Sequence, residues 1–244
     1  CRSQPLFACY GIAISLGKAK GSSEKGYGKI FRRSAVIYLL GASVSILPFF
    51  QFQATDAPDL LKLAIWLVFC ASLLLLLLRN FLWAGILCGI GLFGLAGMNL
   101  AGFNVIGYDY GTLRIAGVLQ RIAVCYLVTA ILFLHTNWKQ QLWISAAILL
   151  VYWAAMTLIP VPGCEVTSLN DKACNLAAYL DRLILTENHI WRYGKVYDPE
   201  GILSTLPAIV STITGVLAGT WLLKRHNDER ESGTFAASYE KAAG

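Results

Sequence analysis

The residues with the most chemistry to offer are a short run, Tyr197-Asp198-Pro199-Glu200-Gly201, and two arginines, Arg114 and Arg121. Asp198 and Glu200 are a pair of carboxylates at a helix entrance, in a turn fixed by Pro199 and Gly201 and followed by Ser204 and Thr205. Acids in a first turn complement the positive end of a helix dipole, and a contact with an arginine is a second use for them. Arg114 and Arg121 are seven residues apart, which on one helix gives a shared face, with Arg121 roughly 10 Å deeper. Snorkelling to an interface accounts for Arg114. Two readings stand for Arg121: pairing with an acid of a neighbouring helix, and an anion or carbohydrate site. His189 lies in Glu187-Asn188-His189-Ile190-Trp191 and could contribute to such a site, whereas His135 and His226 stand at the ends of apolar stretches as solvated residues. There is no G-x-S-x-G, H-E-x-x-H or Walker loop and no metal-ligand spacing, so no metal is expected.

The elements that must carry these residues are membrane helices. Of 244 residues, 57% are apolar and 14% charged, against roughly 25% charged in a soluble domain. The apolar residues fall in blocks too long for core helices, Leu60 to Leu78 with its run of six leucines among them. This excludes a soluble fold, a disordered chain, a disulfide mini-scaffold and a coiled coil. Seven stretches stand out: Pro5 to Leu16, Ser34 to Phe50, Leu60 to Leu78, Phe81 to Ile106, Ile115 to His135, Leu142 to Ile159 and Ile202 to Leu223. The first is too short to span, since a hydrocarbon core of roughly 30 Å needs about 20 residues. The expected fold is an all-α polytopic bundle of six full spans and one partial N-terminal span. Residues 1–226 form that bundle, a long outer loop covers 160–201, and 227–244 form a polar cytoplasmic segment leading towards a further span.

Lysine and arginine in the short loops orient the chain. Lys18, Lys20, Lys25, Lys29, Arg32 and Arg33 face the single acid Glu24, which makes that loop cytoplasmic. Alternation then puts Arg79, Lys139, Lys224 and Arg225 on the same side and Asp56, Asp59, Asp109 and the 160–201 loop on the other. The net charge of +6 is therefore mostly topology, and no nucleic-acid partner is expected. Cys164 and Cys174 lie in the outer loop, where a disulfide between them is expected. Leu176 to Leu185 has an amphipathic pattern with Asp181 and Arg182 on one side, a short helix on the membrane surface shaping a lid. Gly85/Gly89 and Gly215/Gly219 are spaced for ordinary helix packing.

Thr112-Leu113-Arg114-Ile115-Ala116-Gly117-Val118-Leu119-Gln120-Arg121-Ile122-Ala123 resembles the signature of the heparan-alpha-glucosaminide N-acetyltransferase family and its bacterial relatives. Later blocks follow in the family's order: Leu158 to Gly163, Asn175 to Leu183, His189-Ile190-Trp191 and Tyr197 to Thr205. The resemblance implies a membrane acyltransferase that takes acetyl from cytoplasmic acetyl-CoA, with no permanently bound cofactor, and delivers it to an amino sugar or glycan across a bacterial inner membrane. It makes Arg114, Arg121, Asp198, Glu200 and His189 substrate-binding candidates, with Asp198 and Glu200 suited to sugar hydroxyls or the attacking amine. The family's catalytic histidine precedes a span ending like Gly11 to Leu16, and no residue here matches it, so this chain alone is expected to be inactive. One helical hairpin more than most relatives have is read between Arg33 and Leu113. The bilayer, acetyl-CoA and the acceptor are the expected partners, together with a second copy in a homodimer. A transporter-like bundle or a non-catalytic membrane scaffold is the alternative.

Overall fold

The computed structural model describes residues 26–47, 49–164, 171–191, 194 and 196–242. The helices are α1 (Gly26–Ile46), α2 (Asp59–Leu77), α3 (Phe81–Leu100), α4 (Val118–His135), α5 (Trp138–Leu158), α6 (Leu176–Leu185) and α7 (Thr205–Ala242). The described residues contain no strand beyond an isolated antiparallel bridge between Phe50 and Gly107. Among the described residues, five helices are long and apolar enough to cross a membrane: α2, α3, α4, α5 and the Thr205–His226 part of α7. The protein is thus an all-α membrane protein. The stretch expected over Ser34 to Phe50 is α1, displaced towards the N-terminus, so that Lys29, Arg32 and Arg33 occupy its first turns. Its end at Ile46 agrees with Pro48 in the sequence, because proline disfavours helical backbone in the residue before it. Pro5 to Leu16 lies outside the described residues. The polar segment from 227 onward continues the helix of α7 to Ala242.

The chain divides into two compact units, Cys1–Gly41 with Ile115–Gly244, and Ala42–Arg114. The second unit contains α2 and α3, and glycines control their packing. Leucine-rich α2 turns Lys62, Ile65, Phe69 and Ser72 inward, and close approach to α3 does much of the packing. A Cβ on Gly91 of α3 would lie 2.8 Å from the Phe69 ring of α2, and one on Gly94 would lie 3.4 Å from Ile65. Phe50, Ile65, Phe69 and Met98 form the core there, and Ser72 Oγ donates to Ala84 O across the helices at 2.7 Å. The expected Gly85/Gly89 seam does not form within the described residues, because nothing lies within 4 Å of a Cβ at either position. Gly91→Ala is therefore expected to destabilise the hairpin by roughly 1–3 kcal/mol as an overpacking change, and Gly85→Ala to stay within about 0.5 kcal/mol. Thermal unfolding of the two variants in detergent checks the difference.

In the first unit, Ile122 and Cys125 of α4 meet Ala208, Ile209 and Ile213 of α7, with Ile37 of α1 alongside. Lipid tails are as apolar as these side chains, so close packing rather than burial from water holds such helices together. The α1–α4 seam shows this directly: Gln120, only 5% exposed, fills the space that side chains on Gly41 and Gly117 would need. Ser34 Oγ donates to Ala123 O at 2.9 Å in the same seam. α5 packs along α7.

Candidate functional site

The sequence-predicted basic stripe is not a helical face. α4 begins at Val118, with Gly117 in extended backbone (φ −107°, ψ 168°) before it, so Arg114 stands outside the helix that carries Arg121. Arg114 is half-buried and closes the Ala42–Arg114 unit. Arg121, Asp198, Glu200 and His189 all belong to the other unit.

There the run before α7 folds into a tight turn. Asp198 Oδ1 accepts the Glu200 N–H at 2.9 Å, and Asp198 O accepts the Gly201 N–H at 3.0 Å. This is what an aspartate does when its short side chain substitutes for a backbone turn. Gly201 O then accepts the hydroxyls of Ser204 (2.9 Å) and Thr205 (3.0 Å), leading the chain into α7. Arg121 reaches from the first turn of α4 and grips both sides of the turn. Its Nη1 donates to Pro199 O at 3.0 Å and its Nη2 to Ser204 O at 2.5 Å. A fixed guanidinium fork suits two carbonyls in this geometry, which a lysine could not match. Asp198 is 4% exposed, whereas Glu200 is half-buried. His189 holds the neighbouring loop through its backbone, accepting Ile115 N–H at 3.2 Å and donating to Thr186 O at 3.3 Å.

Two further residues build the site. Asp181 of α6, placed by the sequence pattern on one side with Arg182, is 1% exposed. Its Oδ1 accepts the Ile202 N–H at 2.9 Å, so it holds the far side of the same turn. α6 therefore turns its acid inward and exposes Leu183 and Ile184, at 64% and 57%. The periodicity located the helix, but a buried carboxylate serving backbone N–H groups has no signature in hydropathy. Arg182 faces along the loop, donating Nη1 to Val196 O at 2.6 Å and Nη2 to Ala173 O at 2.9 Å. It ties the start of the turn to the segment containing the Cys164–Cys174 disulfide, which the structure forms. The spacing of Asn175 before α6 could have suggested its cap: Asn175 Oδ1 accepts Ala178 N–H at 2.8 Å.

Burial pushes the Asp181 carboxyl above the usual carboxylate range, and the nearby Asp198 charge adds to this. The N–H groups of Ile202 and Asp198 and the Arg182 charge act in the opposite direction. A carboxyl whose pKa is higher in the folded than in the unfolded state favours folding in its protonated form. Its stabilising effect is complete below the unfolded value of roughly 3.9 and is lost as pH rises through the folded one. The unfolding temperature of the wild-type protein relative to Asp181→Asn is therefore expected to rise as pH falls from neutrality. A pH-independent difference in thermal unfolding would contradict this.

No protein-family model matches the chain. Similarity searching of curated proteins finds the heparan-alpha-glucosaminide N-acetyltransferase of Homo sapiens, 32% identical over 158 residues, a match that covers 47% of this chain and 24% of the human protein. Over that stretch the chain is similar to the heparan-alpha-glucosaminide N-acetyltransferases. The enzyme of Mus musculus matches at 30% identity over 158 residues, with the same coverage. The chain spans about a quarter of the length of the curated relatives it matches. These matches agree with the family resemblance drawn from the sequence.

Proposed function

We propose that this chain supplies the acceptor-side part of a membrane acetyltransferase that moves an acetyl group from cytoplasmic acetyl-CoA to an amino sugar or glycan across a bacterial inner membrane. The observation that carries the proposal is the Asp198–Gly201 turn, clamped by Arg121 on one side and by Asp181 on the other. Four hydrogen-bonding groups fix one short backbone segment and present Glu200 half-exposed beside a buried Asp198. Transfer to an amine requires an acceptor held in one orientation and a base for the proton it loses, and a preorganised carboxylate serves either need. Arg121 and Asp181 are positioning residues in this arrangement, and Glu200 faces the acceptor.

The test is glucosamine-dependent release of CoA thiol from acetyl-CoA by membranes that carry this chain alongside a histidine-bearing segment of a relative. The wild-type chain supports release, and Glu200→Gln lowers it by roughly 100-fold, the scale of a lost general-base or charged hydrogen-bond contribution. Equal release with and without the chain would remove the reading.

A further inference from the structure

The first unit ends, opposite the clamped turn, in a surface with a different use of positive charge. Tyr27 Oη and His135 Nε2 lie 2.5 Å apart, which sets the first turns of α1 beside the last turn of α4. Thr136 and Asn137 connect α4 directly to α5, so Trp138 and Lys139 start at that same end. Arg121 binds Ser204 O just before α7, so α4 and α7 leave the turn together, and Trp221, Lys224 and Arg225 arrive at the level of His135. Three helix ends thus bring Lys29, Arg32, Arg33, Lys139, Lys224 and Arg225 to one face, and all six are exposed.

Two of these cations lie against indole rings. Lys139 Nζ is 5.6 Å from the Trp138 ring centroid, and the Arg225 guanidinium is 5.8 Å from that of Trp221. The rings themselves are 62% and 60% exposed. Lys29, Arg32, Arg33, Lys139 and Lys224 form no ion pair among the described residues. At the opposite end Arg121 and Arg182 turn their guanidinium groups onto backbone carbonyls. No acid occurs in α1, α4, α5 or the spanning part of α7; Glu24 precedes this surface in sequence, and Asp228 and Glu229 follow it.

We propose that this face binds the phosphate headgroups of anionic phospholipids. An exposed indole on a membrane helix sits at headgroup depth, and a cation beside it meets the phosphate at the same level. A soluble anion would use the cations and leave the two indoles exposed. Each cation near a charged membrane surface contributes about fivefold in affinity, so removing four is expected to weaken binding by more than 100-fold.

The test uses the full chain purified in uncharged detergent, with thermal unfolding followed on addition of phosphatidylglycerol, phosphatidylcholine or inorganic phosphate. Phosphatidylglycerol should raise the unfolding temperature, and the other two should leave it unchanged. The fourfold variant Arg32→Gln, Arg33→Gln, Lys139→Gln, Lys224→Gln should lose the response, and Lys172→Gln, on the far loop, should retain it. In the wild-type chain the effect should also vanish between about 0.1 M and 1 M salt, where the screening length falls from roughly 10 to 3 Å. Equal responses to the two lipids, an equal response to inorganic phosphate, or a phosphatidylglycerol effect that survives about 1 M salt would each overturn the proposal.

Discussion

Gly201→Ala is expected to break the clamped turn, with a loss of stability on the order of 3 kcal/mol or more. A Cβ at Gly201 would lie 1.9 Å from Asp181 Oδ2 and 2.5 Å from both Cγ and Oδ1. The obstacle is a buried carboxylate with a short side chain, held at 2.9 Å by the Ile202 N–H. Moving it aside combines an overpacking cost of roughly 1–3 kcal/mol with the loss of the part-buried Ile202 N–H to Asp181 hydrogen bond, itself about 0.5–1.5 kcal/mol. The two residues must therefore be coupled. Asp181→Ala alone removes the acceptor, but it also vacates the space that a methyl group at position 201 would occupy. The Asp181→Ala, Gly201→Ala double variant should thus be more stable than the sum of the single effects predicts. Additive losses in a double-mutant cycle would show that the two residues do not share this contact.

In membranes that also carry the histidine-bearing segment of a relative, Arg121→Ala is expected to lower the proposed acetyl transfer by about 100-fold, the scale of an angstrom-level misplacement of a binding group. Its two hydrogen bonds join the first turn of α4 to the Pro199 and Ser204 carbonyls, so its loss frees the turn that carries Glu200. Hydrogen bonds from a charged donor contribute about 1.5–3 kcal/mol, so stability should fall together with activity. Arg121→Lys should recover part of each, because an ammonium can reach one carbonyl but cannot fork across two. An arginine that contacted substrate alone would behave differently: its loss would raise the acceptor KM and leave the unfolding temperature unchanged. Measuring both quantities in both variants separates a positioning residue from a binding one.

Much of this architecture is legible in the sequence because lipid imposes a simple rule on long apolar blocks. Asp59–Leu77, Phe81–Leu100 and Trp138–Leu158 follow their hydropathy closely. The boundaries that mattered most for the site were not legible. Hydropathy continues through Ile115, but the helix waits for Gly117, and those residues separate Arg114 from the face that carries Arg121. Likewise Asp181 reads as surface by its charge alone. Only the three-dimensional return of residues 198–202 supplies the N–H groups that justify burying it. Sequence spacing named Asp198 and Glu200 but could not say that one carboxylate builds the turn while the other is left half-exposed. The Asp198 side chain spends itself on the Glu200 N–H, a local bond that the Asp-Pro-Glu-Gly order favours.

In the proposed function Glu200, presented by the clamped turn, faces an amino-sugar acceptor. The most direct measurement is equilibrium binding of labelled glucosamine to the chain in lipid nanodiscs, comparing wild type with Glu200→Gln. Loss of one charged hydrogen bond corresponds to roughly 10–100-fold weaker binding. A weakening on that scale is expected, with the turn kept because the Glu200 N–H still reaches Asp198. Equal glucosamine binding by the two proteins, or none by the wild type, would contradict it.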